Sequence, residues 1–256
     1  MVSGAALELL LSPEATTGTA VRSHRVGLIR QIIDENPLYG LRRIVAVARR
    51  RSTTPLNRKA IHRIVKENAW QVRRMPRGKR PRAAGWRSVA AAPNERWAVD
   101  ATHIFCGRDA WCHLTAIIDC CDRTIVGWRL SKTGVAKVSA AALEDALRGR
   151  QIKQGETKLM LRSDNGLVFG AKPFVAVVNR WGLQQEYIVP YTPEQNGMIE
   201  RFFGSLKAEC VWLHRFESRD HAFRVIADWL DHYHVERPHQ ALDYLTPTEY
   251  RAKLAA

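Results

Sequence analysis

Residues 96–130 read RWAVDATHIFCGRDAWCHLTAIIDCCDRTIVGWRL and contain three apolar runs separated by short polar breaks. The runs RWAVDATHIF, AWCHLTAIIDC and RTIVGWRL each have the length and the β-branched, aromatic composition of a strand. The break CDR between the last two runs is short enough for a tight hairpin. This stretch therefore predicts three consecutive antiparallel strands at the start of a sheet.

The chain after this stretch alternates between helical and strand-like patterns. The helical segments are GVAKVSAAALEDALRGR and KPFVAVVNRWG, and the strands are TKLMLRSD and LQQEYIV. Three further helical patterns follow, in PEQNGMIERFFGSLKAEC, SRDHAFRVIADWLDHYHVE and TPTEYRAKLA. Antiparallel strands followed by alternating helices and strands predict an α/β fold with a mixed five-stranded sheet and helices on both faces. We assign residues 95–256 to this domain.

The chain before the sheet predicts a small all-α domain over residues 21–71. It contains three short helical patterns, in VRSHRVGLIRQIIDENPLYG, LRRIVAVARR and STTPLNRKAIHRIVKENAW. Asn57 is placed to cap the third helix, whose basic residues point away from its apolar stripe. Three short helices with a basic last helix are typical of a helix-turn-helix module. Arg58, Lys59 and Arg63 are therefore candidate DNA contacts.

Two segments flank this helical domain. Residues 1–20 are small and polar, and we expect them to be poorly ordered. Residues 72–94 contain Pro, Gly and many bases without periodicity. This composition indicates a basic linker that can follow a phosphate backbone.

The charge of the chain is strongly uneven along its length. Forty Lys and Arg against 25 Asp and Glu give a net charge of +15. The first 90 residues hold 19 of these bases and 5 of these acids, a net of +14, and the remainder is close to neutral. A segment this basic points to a polyanion, most often nucleic acid.

Other compositional features exclude several classes of protein. No apolar run approaches the roughly 18 residues that a membrane span needs, so we expect no membrane partner. The start MVSGAALELLLSPEA lacks a basic leader, so we expect no signal peptide. The five cysteines form no C-x-x-C pair and are odd in number, which argues against a disulfide framework and indicates a reducing cytoplasm.

Three carboxylates stand at positions where the pattern does not favour an acid. Asp100 interrupts an apolar strand, where an unpaired charge is costly to bury. Asp164 ends a strand, and α/β sheets bind ligands at the carboxyl ends of their strands. Glu200 lies roughly 100° around its helix from Ile199, which belongs to the apolar stripe. Three converging carboxylates suit hard cations such as Mg²⁺, and two such ions can promote an in-line displacement.

The alternative for Glu200 is an ordinary solvated ion pair with the bases around it. Lys207 lies two turns beyond Glu200 on nearly the same face of the helix. If the acids hold metal, Lys207 and Arg201 are placed to hold DNA phosphates. Tyr191 and Asn196 lie next to the expected site and are further candidate DNA contacts.

Two other clusters admit a metal but favour a structural interpretation. Asp119 and Asp122 flank two cysteines at a turn, where a role in the hairpin is favoured over metal binding. His232, His234 and His239 lie where a helix end and a loop near DNA or the core are favoured over a metal site.

Several motifs resemble those of bacterial insertion-sequence transposases of the second-frame (OrfB) type, which have a retroviral-integrase-like DDE core. RWAVDATHI resembles the first-aspartate strand, RSDNGLVF the second-aspartate turn, and PYTPEQNGMIERFFGSLKAE the glutamate helix. The 35 residues between Asp164 and Glu200 are the family's typical interval, and Lys207 occupies its basic position seven residues beyond the glutamate.

The resemblance extends to both sides of these motifs. HYHVERPHQALDYLTPTEY resembles the family's terminal signature, with His234 where Asn is usual. ENPLYGLRRIVAVARRR and LNRKAIHRIVKENA resemble its helix-turn-helix segment. The match spans about residues 20–252.

This resemblance implies a ribonuclease-H-like fold and a metal-dependent polynucleotidyl transferase. It implies that Asp100, Asp164 and Glu200 are catalytic and bind two Mg²⁺ or Mn²⁺ ions, and that the enzyme cuts and joins insertion-sequence ends. The implied partners are transposon-end and target DNA, further copies of the chain on DNA, and an upstream first-frame product fused by frameshifting. The implied location is the bacterial cytoplasm, at the nucleoid. The His-His-Cys-Cys zinc module of retroviral integrases is absent, so no structural zinc is expected.

Two alternatives remain open at the level of sequence. One is a related metal-dependent nuclease that cuts without joining. The other is a domesticated DNA-binding protein without catalysis, which would use only the basic first part of the chain.

Overall fold

The structure is a computed structural model of the chain. It describes residues 13–72, with side chains from residue 22, and residues 90–155, 158–188 and 196–255. Its internal contacts divide the chain into two compact units, residues 1–76 and 77–256. The division falls in the expected linker 72–94, of which residues 73–89 lie outside the described residues.

The first unit consists of the three helices α1 (Pro13–Glu35), α2 (Leu41–Arg51) and α3 (Arg58–Glu67). Helix α1 begins at Pro13, within the segment 1–20 that the sequence predicts to be poorly ordered. Proline is favourable at the first position of a helix, where no backbone N–H is needed. Buried aliphatic side chains from all three helices form one small core, including Ile32, Ile44 and Ile61.

Helix α3 has the two faces that its sequence predicts. The Asn57 side chain accepts a hydrogen bond from the backbone N–H of Lys59 at 2.8 Å and so caps the helix. Ile61 faces the core, while Arg58, Lys59 and Arg63 are exposed. The helix therefore presents a basic outer surface.

The second unit is built on one sheet of five strands with the order β3-β2-β1-β4-β5. The strands are β1 (Arg96–Phe105), β2 (Trp111–Asp119), β3 (Ile125–Ser131), β4 (Met160–Ser163) and β5 (Gln184–Tyr187). The pairs β1–β2 and β2–β3 are antiparallel, and the pairs β1–β4 and β4–β5 are parallel. The predicted mixed five-stranded sheet is confirmed.

Helices cover both faces of this sheet, as predicted. They are α4 (Ala136–Gly149), α5 (Leu167–Gly170), α6 (Lys172–Trp181), α7 (Gly197–Glu209), α8 (Arg219–Val235) and α9 (Pro247–Ala255). Among the described helices, none has the length and apolar content to cross a membrane.

Two separate cores lie on the two faces of the sheet and fix which face carries each side chain of β1. Trp97 and Val99 pack with α4 and α6, whereas Ala98 and Ile104 pack in the other core with α7 and α8. Successive strand residues point to opposite faces. Asp100 therefore points to the face on which α7 packs.

Candidate active site

Asp100 lies near the middle of β1, opposite Ala116 of β2, and is partly buried. One of its carboxylate oxygens, Oδ1, accepts a hydrogen bond from the backbone N–H of Ala101 at 2.7 Å. Among the described residues, no cation forms a salt bridge with this carboxylate. Its charge is consequently compensated only weakly by its direct contacts.

The pKa of Asp100 shows which other charges surround it. The pKa of this carboxyl is raised to about 6, mainly by burial and also by the negative charges of Asp164 and Glu200. The Ala101 N–H and the ammonium of Lys207 act in the opposite direction. Because Coulomb interactions weaken with distance, these influences place the three acids and Lys207 in one neighbourhood.

Asp164 follows β4 directly, in a turn that fixes its side chain. Its Oδ1 accepts the backbone N–H of Gly166 at 3.0 Å. The amide of Asn165 donates to the carbonyl of Ile188 at 3.0 Å and ties this turn to the end of β5. A Cβ at position 166 would lie 2.8 Å from Asp164 Oδ1, so only glycine leaves this oxygen undisturbed.

Glu200 and Lys207 lie along one edge of α7. Glu200 is exposed and Lys207 is partly exposed, whereas Ile199 and Leu206 are buried in the core. The helix thus buries its apolar stripe against the sheet and keeps the acid and the lysine at the boundary with solvent. This is the arrangement that the sequence predicts for these residues.

The other predicted DNA contacts have different environments. Arg201 is exposed on α7. Asn196 is 2% exposed, and its Oδ1 is buried without a partner among the described residues, so in this conformation it does not present a polar atom to DNA. Tyr191 lies outside the described residues. Arg58 belongs to the other compact unit, as do Lys59 and Arg63.

The donor chemistry of the site fits a hard divalent cation. Carboxylate oxygens are the ligands that Mg²⁺ and Mn²⁺ prefer, and a cation would relieve the negative field at Asp100. Within the residues that the structure describes, no three His, Cys, Asp or Glu side chains lie close enough together to hold an ion. Joint binding of one metal ion by the three acids therefore requires that α7 bring Glu200 close to the two aspartates.

A second acidic cluster lies at the turn between β2 and β3. Asp119 is fully buried and accepts three hydrogen bonds, from the backbone of Asn94 at 2.8 Å, the backbone of Cys121 at 2.9 Å and the indole of Trp97 at 3.3 Å. Burial and the charge of Asp122 raise the pKa of Asp119, whereas these backbone hydrogen bonds and Arg150 lower it.

Asp122 completes this cluster. It accepts the N–H of Thr124 at 2.8 Å and pairs with the buried guanidinium of Arg150 at 3.1 Å. The cluster therefore closes the hairpin, which is the interpretation favoured from the sequence.

The three histidines near the end of α8 have separate partners. His234 Nε2 accepts the backbone N–H of Ile125 at 2.9 Å, and His239 Nε2 lies 3.1 Å from the carbonyl of Tyr233. His232 lies 3.3 Å from Glu236. These contacts favour a packing role over a shared metal site.

Sequence reasoning missed Arg237, which is buried and contacts α7. Its Nε and Nη2 bind the carboxylate of Glu209, at 2.7 and 2.8 Å. Arg237 lies within the VERPHQ segment of the terminal signature, which indicates that the residue matters. The sequence does not indicate that its partner is Glu209.

Two protein-family models match the second unit, and a third matches the first. Models described as integrase core domain match residues 90–193 and 181–247. A model described as HTH-like domain matches residues 24–80. The integrase-core matches together run through more than half of the chain and include all three candidate acids.

The chain is also similar to curated proteins and to solved structures. The chain is 28% identical over 232 residues to the Escherichia coli transposase InsD for insertion element IS2A/D/F/H/I/K, covering 87% of this chain and 76% of that protein. A chain in the simian T-cell lymphotropic virus intasome with PP2A regulatory subunit B56 gamma has a TM-score of 0.55 at 15% identity, over 77% of this chain and 67% of that chain. The catalytic core domain of BIV integrase has a TM-score of 0.48 at 18% identity, over 63% of this chain and 96% of that chain. With an HTH-like domain ahead of an integrase core, the chain belongs to the integrase-core family of transposases.

Proposed function

We propose that this transposase cuts and joins insertion-sequence ends with Asp100, Asp164 and Glu200 as its catalytic acids. The supporting observation is the pKa of Asp100, which Asp164 and Glu200 raise and Lys207 lowers. These side chains come from β1, from the turn after β4 and from α7, and their influence on the charge of Asp100 has no evident role in packing. A metal-dependent phosphoryl transfer accounts for it.

The proposed cofactor is Mg²⁺ or Mn²⁺, as two ions. When bound, the ions would activate the attacking hydroxyl and stabilise the leaving oxygen of an in-line displacement. The chain contributes carboxylates that are already oriented, because the N–H groups of Ala101 and Gly166 each hold one oxygen of Asp100 and Asp164. Rotation of either side chain would cost a hydrogen bond, so the two aspartates are preorganised.

The proposed DNA contacts lie in both units. Lys207 and Arg201 would hold the phosphates of the strand that enters the site, which positions DNA without reading its sequence. The basic face of α3, with Arg58, Lys59 and Arg63, would bind DNA as helix-turn-helix modules do. Tyr191 stays a proposed contact, and the same role for Asn196 requires that this buried side chain become uncovered.

The proposed assembly contains more than one copy of the chain on DNA. A frameshift fusion with an upstream first-frame product would add a further DNA-binding module, and the complex would act at the nucleoid in the bacterial cytoplasm. Expression of the chain with and without the upstream frame, followed by sizing on end DNA, tests both statements.

The experiment that tests the proposed function is a strand-transfer assay with labelled oligonucleotides of the element's ends. We expect a nicked product and a longer joined product, both dependent on Mg²⁺ or Mn²⁺. Cutting without joining would favour the nuclease alternative, and binding without cutting would favour a DNA-binding protein. Duplexes of scrambled sequence are the matched control for end recognition.

A further inference from the structure

Helix α7 carries both Glu200 and Lys207, so its rotation about its own axis decides where both side chains point. The apolar stripe of α7 packs against the sheet, but apolar contacts are not directional. A directional contact on another edge of the helix would fix the rotation more strictly. The structure contains such a contact at Arg237.

Arg237 makes a two-pronged ion pair with α7. Its Nε donates to Glu209 Oε2 at 2.7 Å, and its Nη2 donates to Glu209 Oε1 at 2.8 Å and to Ser205 Oγ at 3.1 Å. The Arg237 side chain is only 3% exposed and that of Glu209 is 13% exposed. A buried fork of this kind adds geometric specificity as well as energy.

The residues around Arg237 are also closely packed. Its guanidinium lies 5.5 Å over the ring of Tyr233, which is buried and contacts Phe202 of α7 edge-on at 5.4 Å. The backbone N–H of Arg237 donates to the carbonyl of His232 at 2.9 Å. The ring of His239 packs edge-on against Tyr233 at 4.5 Å. These contacts hold the arginine side chain in place against α7.

Helical geometry relates this contact to the catalytic edge. At 100° per residue, Lys207 lies roughly 20° from Glu200, whereas Ser205 and Glu209 lie roughly 140° and 180° away. The apolar stripe lies between these two edges. A rotation of about 20° would move a side chain at a radius of about 5–6 Å by about 2 Å. A misplacement of about 1 Å is enough to slow a positioned reaction about 100-fold.

We propose that Arg237 is a positioning residue for catalysis, which holds Glu200 and Lys207 in register by clamping Glu209 and Ser205 on the far edge of α7. It is buried and acts through the helix rather than by touching DNA. This inference rests on the proposed function, because it assigns Arg237 to the same site.

The test compares three changes at the clamp, which is the contact of Arg237 with Glu209 and Ser205. Glu209→Gln keeps the size of the side chain but weakens the fork, and Arg237→Lys keeps the charge but replaces the fork with a point charge. The double change Arg237→Met with Glu209→Met removes both buried charges, a replacement that commonly preserves folding. The measurements are kcat and KM for strand transfer, Mn²⁺ affinity by electron paramagnetic resonance, amide hydrogen exchange in α7 and the melting temperature.

We expect Glu209→Gln and the double variant to lower kcat about 100-fold while KM for DNA stays nearly constant. We expect weaker Mn²⁺ binding and faster exchange in α7 at temperatures where both variants are folded. Arg237→Lys should fall between these variants and the wild type. Wild-type kcat, Mn²⁺ affinity and α7 exchange in the double variant would overturn the proposal.

Arg150→Lys is the matched control, because Arg150 is similarly buried but pairs with Asp122 rather than with a residue of α7. It should lower the melting temperature without changing kcat or Mn²⁺ affinity in the folded protein. If activity simply followed melting temperature through all variants, Arg150→Lys included, Arg237 would be structural only. If the wild type joined no DNA, the proposed function would fail, and Mn²⁺ affinity with α7 exchange would still decide the role of the clamp.

Discussion

The sheet carries two acidic clusters that differ in the hydrogen bonds and ion pairs that the protein gives them. Asp119 and Asp122 at the β2–β3 turn are fully buried and receive backbone N–H groups, an indole N–H and the guanidinium of Arg150. Asp100 and Asp164 at the candidate site each accept one backbone N–H, and no salt bridge reaches them from the described residues.

The difference distinguishes acids whose contacts stabilise the fold from acids that we propose to be catalytic. A carboxylate satisfied by the protein has little to offer a ligand, and removing one of its partners leaves a buried charge uncompensated. Neighbouring acids raise the pKa of Asp100, and a carboxylate that lies near other acids and forms no salt bridge favours binding of an external cation. Substitutions in the first cluster should therefore mainly lower stability, and substitutions in the second should mainly lower activity.

The largest expected effect is on catalysis at the second cluster. Asp100→Asn, Asp164→Asn and Glu200→Gln should each lower strand transfer at least about 1,000-fold, because each removes several kcal/mol of charge stabilisation at the metal site. Circular dichroism and DNA binding should stay close to wild type. Near-wild-type activity with Mg²⁺ in any one variant would remove that residue from the site.

A substitution in the first cluster should instead affect stability. Asp122→Asn should lower the free energy of unfolding by about 3 kcal/mol, because the buried Arg150 loses its nearer carboxylate partner and keeps only Asp119, at 3.9 Å. Urea unfolding measures this loss. Strand transfer per folded molecule should be unchanged well below the melting temperature, and a loss of activity there would place this cluster in the site.

A smaller effect is expected from the turn that orients Asp164. Gly166→Ala should lower strand transfer about 100-fold, because the new Cβ would displace Asp164 Oδ1. Stability should change by less than about 1 kcal/mol, since the φ of −61° at Gly166 suits alanine. Gly149→Ala is the matched control, because a Cβ there meets nothing within 4 Å. Equal activity of the two variants would show that the turn tolerates the methyl group.

The sequence predicts most of the fold because local patterns determine its elements. Strands β1 to β3 are continuous apolar runs, and the cap of α3 depends on Asn57 and its immediate neighbours. Asp100 and Asp164 could be proposed as site residues from the sequence, because an acid in or directly after an apolar strand is costly to bury without a partner.

The features that the sequence does not predict depend on distant partners. The ion pair of Arg237 with Glu209 joins residues 28 positions apart, and two charged residues are more often exposed than buried. The burial of Asn196 likewise depends on tertiary packing that its neighbours in sequence do not reveal. Such contacts become visible only when the whole chain is folded.

The smallest expected effect concerns acid sensitivity at the first cluster, through His234. Its Nε2 accepts the N–H of Ile125, which requires a neutral ring, and burial lowers its pKa to about 4. The carboxylates of Asp231 and Asp122 raise this pKa, whereas Arg150 lowers it. Because the pKa is lower in the folded state, the stabilisation is present above about pH 6.5 and is lost as the pH falls towards 4.

His234→Asn should remove this pH dependence, because asparagine binds no proton in this range. Relative to its own value at pH 7.5, the wild type should lose about 2 kcal/mol more stability by pH 5 than the variant does. Urea unfolding at a series of pH values measures this difference, and taking the difference cancels the titration of the carboxylates common to both proteins. His62→Asn, on the exposed face of α3, is the control for a histidine outside the cluster. Parallel stability profiles for wild type and His234→Asn would show that the ring is protonated without cost, and the N–H of Ile125 would then need another acceptor.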